Sequence, residues 1–181
     1  MLSWQVVRSE PGRTVRAREA IARLPYVTEV YAPVMGGDHR PLFWLGSLIL
    51  VRWDTTDPYT WHEVKHCDGV SHILGGETPM VVSEASLERF KAEIYRLEHP
   101  AEIVDEPAPC EAGDSVEFTF LECFLNSPGT CLWASKGVVQ IKYRMMGRDH
   151  LVLVPYKYVH KLEEINAPQF NLKRKKISVR A

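Results

Sequence analysis

The chain has 181 residues, 45% of them hydrophobic and 25% charged, with a formal net charge of −1. That length suits one ordinary domain or two small ones, and the balance is that of a soluble globular protein. It excludes wholesale coating of nucleic acid, and no apolar run approaches the ~20 residues of a membrane span. The N-terminus lacks a basic flank leading into an apolar block, so no signal peptide is readable. Cytoplasmic residence follows, with Cys67, Cys110, Cys123 and Cys131 as reduced thiols, since none forms a C-x-x-C pair.

In chain order, "SWQVVRS" has strand spacing, and "RTVRAREAIARL" puts Val15, Ala20, Ile21 and Leu24 on one helical face with Arg16, Arg18 and Arg23 opposite. "VTEVYAPV" and "LGSLILVRW" read as strands, the second more fully buried. Asp57 as N-cap and Pro58 at the first helical position open a short helix that Gly69 closes, with Trp61 and Val64 buried. "SLERFKAEIYRL" repeats Leu87, Phe90, Ile94 and Leu97 at amphipathic spacing, capped by Ser83 or Ser86. Residues 1–99 therefore read as an α+β domain, an antiparallel sheet with helices packed on it.

"EHPAEIVDEPAPCEAGD" carries three prolines and six acids in seventeen residues, so residues 100–109 read as a linker. Beyond it, "SVEFTFLE", "GTCLWAS", "VVQIKYRMM" and "LVLVPYKYVHKL" are short strands at roughly ten-residue spacing, the pattern of a small β-barrel over 110–165. Residues 166–181 form a tail whose "NLKRKKISVR" holds five basic residues and no acid, suited to phosphate contact or to a solvated end.

One motif carries chemistry on its face. His62-Glu63-x-x-His66-x-x-Gly69-x-x-His72 is the zinc-binding string of a class of metalloproteases, in which two His one turn apart hold the metal and the Glu polarises its water.

The order "SWQVVRS…VTEVYAPV…RPLF…LILV…WHEV…GVSHILGG" resembles the N-terminal (NGN) domain of the NusG family of transcription elongation factors. "AGDSVEFTFLECFLNSPGT…VVQIKYRMMGRDHLVLVP" resembles the KOW domain, an SH3-like β-barrel, that follows it. The resemblance covers residues 2 to about 163. Ser3-Trp4 and Gly69-Val70-Ser71-His72 are similar to RfaH, a specialised paralogue. Because the family pattern supplies His62, Gly69 and His72, only Glu63 and His66 of the zinc string are left to coincidence. The helix, starting four residues before His62, is also short for an anchored metal site. The expectation is thus no metal, no cofactor and no enzyme; a zinc metalloprotease and a KOW-type RNA- or ribosome-binding protein are the alternatives.

The resemblance implies a monomer that binds the clamp helices of RNA polymerase through an apolar depression, at Phe43, Trp44, Leu50, Val70 and Arg8. Phe43, Leu50 and Val70 are alternatively ordinary core. Trp44 replaces the family's proline, and Arg8 stands where RfaH has tyrosine. A gate-loop contact falls on Thr60, Trp61 and His62, and contact with upstream or non-template DNA on Arg13, Arg16 and Arg23, otherwise a solvated face. Glu10, Ala20 and Asp68 occupy positions where RfaH is basic. In the KOW loop "RMMGRD", Met145, Met146 and Arg148 fall where the family meets Rho, a small-subunit ribosomal protein or other Nus factors, or else cap the barrel. Glu122-Cys123 replaces the family's Gly-Pro. Val- and Tyr-rich strands and Pro155 favour a barrel over the helical hairpin that RfaH can form. Such a protein would sit with transcribing polymerase at the nucleoid and suppress pausing or termination.

Overall fold

The computed structural model of the chain describes residues 2–35, 42–76, 78–99, 106–145 and 147–162. Along the chain run β1 (Leu2–Ser9), α1 (Thr14–Ala22), β2 (Val27–Tyr31), β3 (Val34–Met35), β4 (Leu42–Phe43), β5 (Leu48–Asp54), α2 (Pro58–Lys65), β6 (Val70–Ile73), β7 (Val81–Val82) and α3 (Glu84–Glu98). Then come β8 (Ser115–Phe118), β9 (Ser127–Ser135), β10 (Val138–Met145), β11 (Arg148–Pro155) and β12 (Val159–Lys161), with 3-10 turns at Glu122–Phe124 and Tyr156–Tyr158. The linker core 100–105 and the tail 163–181 fall outside the described residues.

The first sheet is antiparallel in the order β2-β5-β1-β6, with β7 also paired to β1. Strand alternation sorts its side chains into two faces. Val7, Ile49, Val51, Trp53 and Ile73 join one apolar cluster, which α1 and α2 close with Ala17, Ile21 and Val64. Trp4, Val6, Leu48 and Leu50 point the other way, against Leu87, Phe90 and Ile94 of α3. Each such side chain, fully buried, contributes about 1.5–3 kcal/mol relative to exposure.

Caps explain where the helices begin. Asp57 Oδ1 accepts from Tyr59 N at 2.9 Å, and Ser83 Oγ accepts from Ser86 N at 3.2 Å. The face expected for α1 is rotated: Thr14, Ala17 and Ile21 are buried, and Val15 is 38% exposed. The cause is close packing. Thr14 Oγ1 meets Ser9 Oγ at 2.8 Å, and a Cβ on Gly69 would stand 3.1 Å from Ala17 N, so the small side chains turn inward where Val15 has no room.

The second sheet is antiparallel in the order β11-β10-β9-β8-β12, around a core of Phe118, Phe120, Phe124 and Tyr143. It does not stand apart from the first. The cluster holding Trp4, Val6 and Phe90 continues without interruption into Phe118, Phe124 and Val154.

Candidate functional site at the junction of the two sheets

The junction is built by the turn after β4 and by α3. Trp44 is 1% exposed, and its carbonyl accepts from Leu153 N of β11 at 2.9 Å. The Trp44 indole Nε1 donates to Glu98 Oε1 at 3.3 Å. Gly46, at φ +61°, lies so close to β11 that an added Cβ would come within 1.9 Å of Leu151 O. The Phe90 and Phe120 rings pack at a centroid distance of 5.0 Å.

Polar groups seal the edges. Glu93, on the inner side of α3, accepts from Arg96 Nη2 at 2.7 Å and also pairs with Lys157 Nζ. Burial pushes the Glu93 carboxyl up, but Arg96 and Lys157 outweigh it, so its pKa lies below the usual value. At the other end of α3, Glu122 Oε1 accepts from Ser83 Oγ at 2.7 Å and from Ser83 N at 3.2 Å. A carboxylate at a helix N-terminus complements its positive end. Its pKa is lowered as well: burial raises it, and the Ser83 hydrogen bonds more than compensate. The acid that replaces the family's glycine thus ties the second sheet to α3.

The residues expected to meet polymerase do not share one surface. Trp44, Leu50 and Arg8 belong to the face under the second sheet, 1%, 0% and 4% exposed. Val70 and Phe43 belong to the opposite cluster. Of the gate-loop trio, Thr60 is 0% exposed and its hydroxyl donates to Asp57 Oδ2 at 2.8 Å, reinforcing the cap rather than facing a partner. Trp61 is half-buried beneath Lys65 Nζ, 4.8 Å from its ring, and His62 is exposed.

Acids temper the arginine face. Arg16 Nε pairs with Asp68 Oδ2 at 2.6 Å, and Arg13 reaches Glu10 at 3.1 Å and Asp68 at 3.5 Å, while Arg23 is exposed. In the KOW loop Met145 is half-buried against the core, Arg148 is exposed, and Met146 lies outside the described residues.

The zinc string does not converge. His62 and His66 stack at 4.1 Å on α2, and His66 Nδ1 lies 2.7 Å from the His62 carbonyl. His72 pairs in register with Arg8 and therefore faces the second sheet, across the first sheet from α2. Among the described residues no three His, Cys, Asp or Glu are placed to hold a metal ion. Nor, among them, is any helix long and apolar enough to cross a membrane.

Sequence reasoning missed Gly46, Glu93, Glu122 and Lys157, which hold the halves together. A glycine two residues beyond the Phe43-Trp44 pair, and one inward-facing acid in an amphipathic helix, were the signals that could have found the first two.

Residues 2–91 match the family described as "Transcription termination factor nusG". No curated protein matches the sequence significantly. Among solved structures, the chain is similar to that described as "Domain interaction in Thermotoga maritima NusG", at 18% identity and a TM-score of 0.48, over 90% of this chain and 98% of that one. It is also similar to the MjSpt4:Spt5 complex in conformations A and B, at 15% and 16% identity with TM-scores of 0.30 and 0.33. These alignments cover 88% of this chain and 97% and 96% of those. Through residues 2–91, the chain belongs to the NusG family of transcription factors.

Proposed function

We propose that this protein binds RNA polymerase at the clamp helices through the sheet face carrying Trp44, and that it suppresses pausing or termination once bound. In the structure that face is covered by the second sheet, so binding requires the two to part. The observation carrying this reading is Trp44 itself, a large aromatic side chain 1% exposed, bonded through its carbonyl to β11 and lining the junction with Trp133 and Val138 of the second sheet. Aromatic anchors that can be uncovered concentrate binding energy in a few residues.

A cleft of about 680 Å3, open to solvent, runs along the edge of the junction between Met35, Trp44 and Leu97 on one side and Trp133 and Val138 on the other. The contact is incomplete there, which supports separability. Arg148, in the loop expected to meet Rho or a ribosomal protein, acts electrostatically on Arg8 across the same junction. Opening would uncover the polymerase face, while Arg148 is exposed in the closed state already. Exposed His62 and half-buried Trp61 suit a second polymerase contact, and Arg23 is the arginine best placed to meet upstream DNA.

The test is retention of the full-length protein on core RNA polymerase. Gly46→Ala, which opens the junction, binds more tightly than wild type. Adding Trp44→Asp to Gly46→Ala abolishes the gain. Equal retention of both variants would overturn the assignment of Trp44.

A further inference from the structure

The exposed end of α2 carries two histidines one helical turn apart, His62 in the last turn and His66 at the C-cap. His66 N donates to the His62 carbonyl at 3.2 Å, so the helical geometry persists through the cap and sets both side chains on one face. Their ring centroids lie 4.1 Å apart, with the planes tilted by 40°. Both residues are open to solvent, so nothing has to move to admit a small ion.

The His66 ring is already oriented. Its Nδ1 lies 2.7 Å from the His62 carbonyl oxygen. A carbonyl only accepts, so Nδ1 carries the proton, and the lone pair of the neutral imidazole is on Nε2. Histidines that ligate metals characteristically donate their other ring nitrogen to a carbonyl or carboxylate, which fixes the tautomer and raises the basicity of the ligating atom. His66 has that arrangement without a metal.

We propose that His62 and His66 form a two-ligand site for a divalent late transition-metal ion of the Ni2+, Cu2+ and Zn2+ class. Imidazole nitrogen sets the class: it suits these ions, whereas Mg2+ and Ca2+ take oxygen ligands. Metal–nitrogen bonds of about 2.0–2.1 Å are within reach of both rings after a modest turn of the exposed His62 side chain. The position favours a cation as well, because the C-terminal end of a helix carries partial negative charge. Of the side-chain charges beside the pair, Glu63 lies between the two in sequence, and Lys65 holds its Nζ over the Trp61 ring at 4.8 Å. The third histidine of the zinc string, His72, belongs to the face turned to the second sheet and takes no part.

With two protein ligands, water completes the coordination sphere. The ion cross-links the last turn of α2 and, by linkage, stabilises the folded chain. It also occupies His62, a residue proposed to meet polymerase, although the site does not depend on that reading.

Titration calorimetry of the full-length chain with NiCl2, in a non-coordinating buffer with the thiols kept reduced, is the test. The expected result is one saturable site per chain, accompanied by a rise in Tm, with MgCl2 producing neither. His62→Ala and His66→Ala each weaken binding about tenfold or more, because a second donor on the same turn acts at high effective concentration. Both positions are exposed, so these variants fold. His72→Ala keeps wild-type affinity. No saturable Ni2+ binding in wild type, or wild-type affinity in either single variant of the pair, would overturn the proposal. So would an equal loss in His72→Ala, which would replace the pair with a three-histidine site.

Discussion

Replacing Gly46 by alanine should open the junction, for a reason separable from backbone strain. At φ +61° any L side chain is disfavoured by about 1–2 kcal/mol, but that strain is present whether the sheets are apart or together. The Cβ contact differs: it would stand 1.9 Å from Leu151 O and 3.2 Å from Leu151 C, main-chain atoms that cannot swing aside. Relief means moving β11 away, at an overpacking cost of about 1–3 kcal/mol. The Leu153 N–Trp44 O bond is lost with it, adding about 1 kcal/mol. Together these shift the closed-to-open ratio by a factor on the order of 30 to 1,000. Inter-domain energy transfer between dyes on the two halves should fall, and acrylamide quenching of tryptophan should rise as Trp44 is uncovered. Gly12→Ala is the control: Gly12 also has a positive φ, of +73°, but its Cβ would meet nothing within 4 Å, so it should cost stability without opening the junction. If Gly46→Ala keeps wild-type energy transfer and quenching, the contact does not hold the halves together as argued.

Other expectations follow from particular contacts. Glu93 has a lowered pKa when folded, so its stabilisation is fully present above the ordinary carboxylate range and is lost as pH falls through the folded value. Thermal melts between pH 6 and pH 3, taken on roughly unit pH steps, should fall more steeply for wild type than for Glu93→Gln; the difference is about 1 kcal/mol, because Arg96 and Lys157 are largely solvated. Asp57→Ala removes the cap of α2 and the Thr60 hydroxyl's partner, and chemical denaturation should register a loss of about 1–2 kcal/mol. Phe124→Ala empties a ring from the centre of the second core. It should cost about 3–5 kcal/mol, and unfolding followed by near-ultraviolet dichroism would report it.

The first half was legible because its signals are local. A proline after an aspartate starts α2, a serine starts α3, and the apolar spacing of Leu87, Phe90 and Ile94 names the buried face. The rotation of α1 was not legible, because it depends on Gly69 approaching Ala17 from a loop some fifty residues away. The zinc string shows the same limit in reverse: letters at metal-ligand spacing are divided between the two faces of a sheet, a separation set by the pairing of β6 with β1 rather than by spacing along the chain.

The junction was the least legible feature, and the reason is physical. An aromatic residue that awaits a partner and one that lies in a core carry the same apolar surface, so nothing in the sequence marked Trp44, read as an anchor, as a buried residue. The structure buries it, in part under a sheet joined through an acid-rich, proline-rich segment and held at its rim by pairs such as Lys157–Glu93, whose lysine is half exposed. Contacts of that kind contribute little individually. Most of the closing energy must therefore come from Trp44, Phe90 and Phe120, the surfaces a competing apolar partner would have to cover in turn. A partner that gains less from apolar burial than the second sheet does needs a correspondingly higher concentration to open the junction. Substitutions that shrink the second sheet's share of this contact, Phe120→Leu foremost, should lower the partner concentration needed to open it while leaving the partner's affinity for the already open Gly46→Ala variant unchanged.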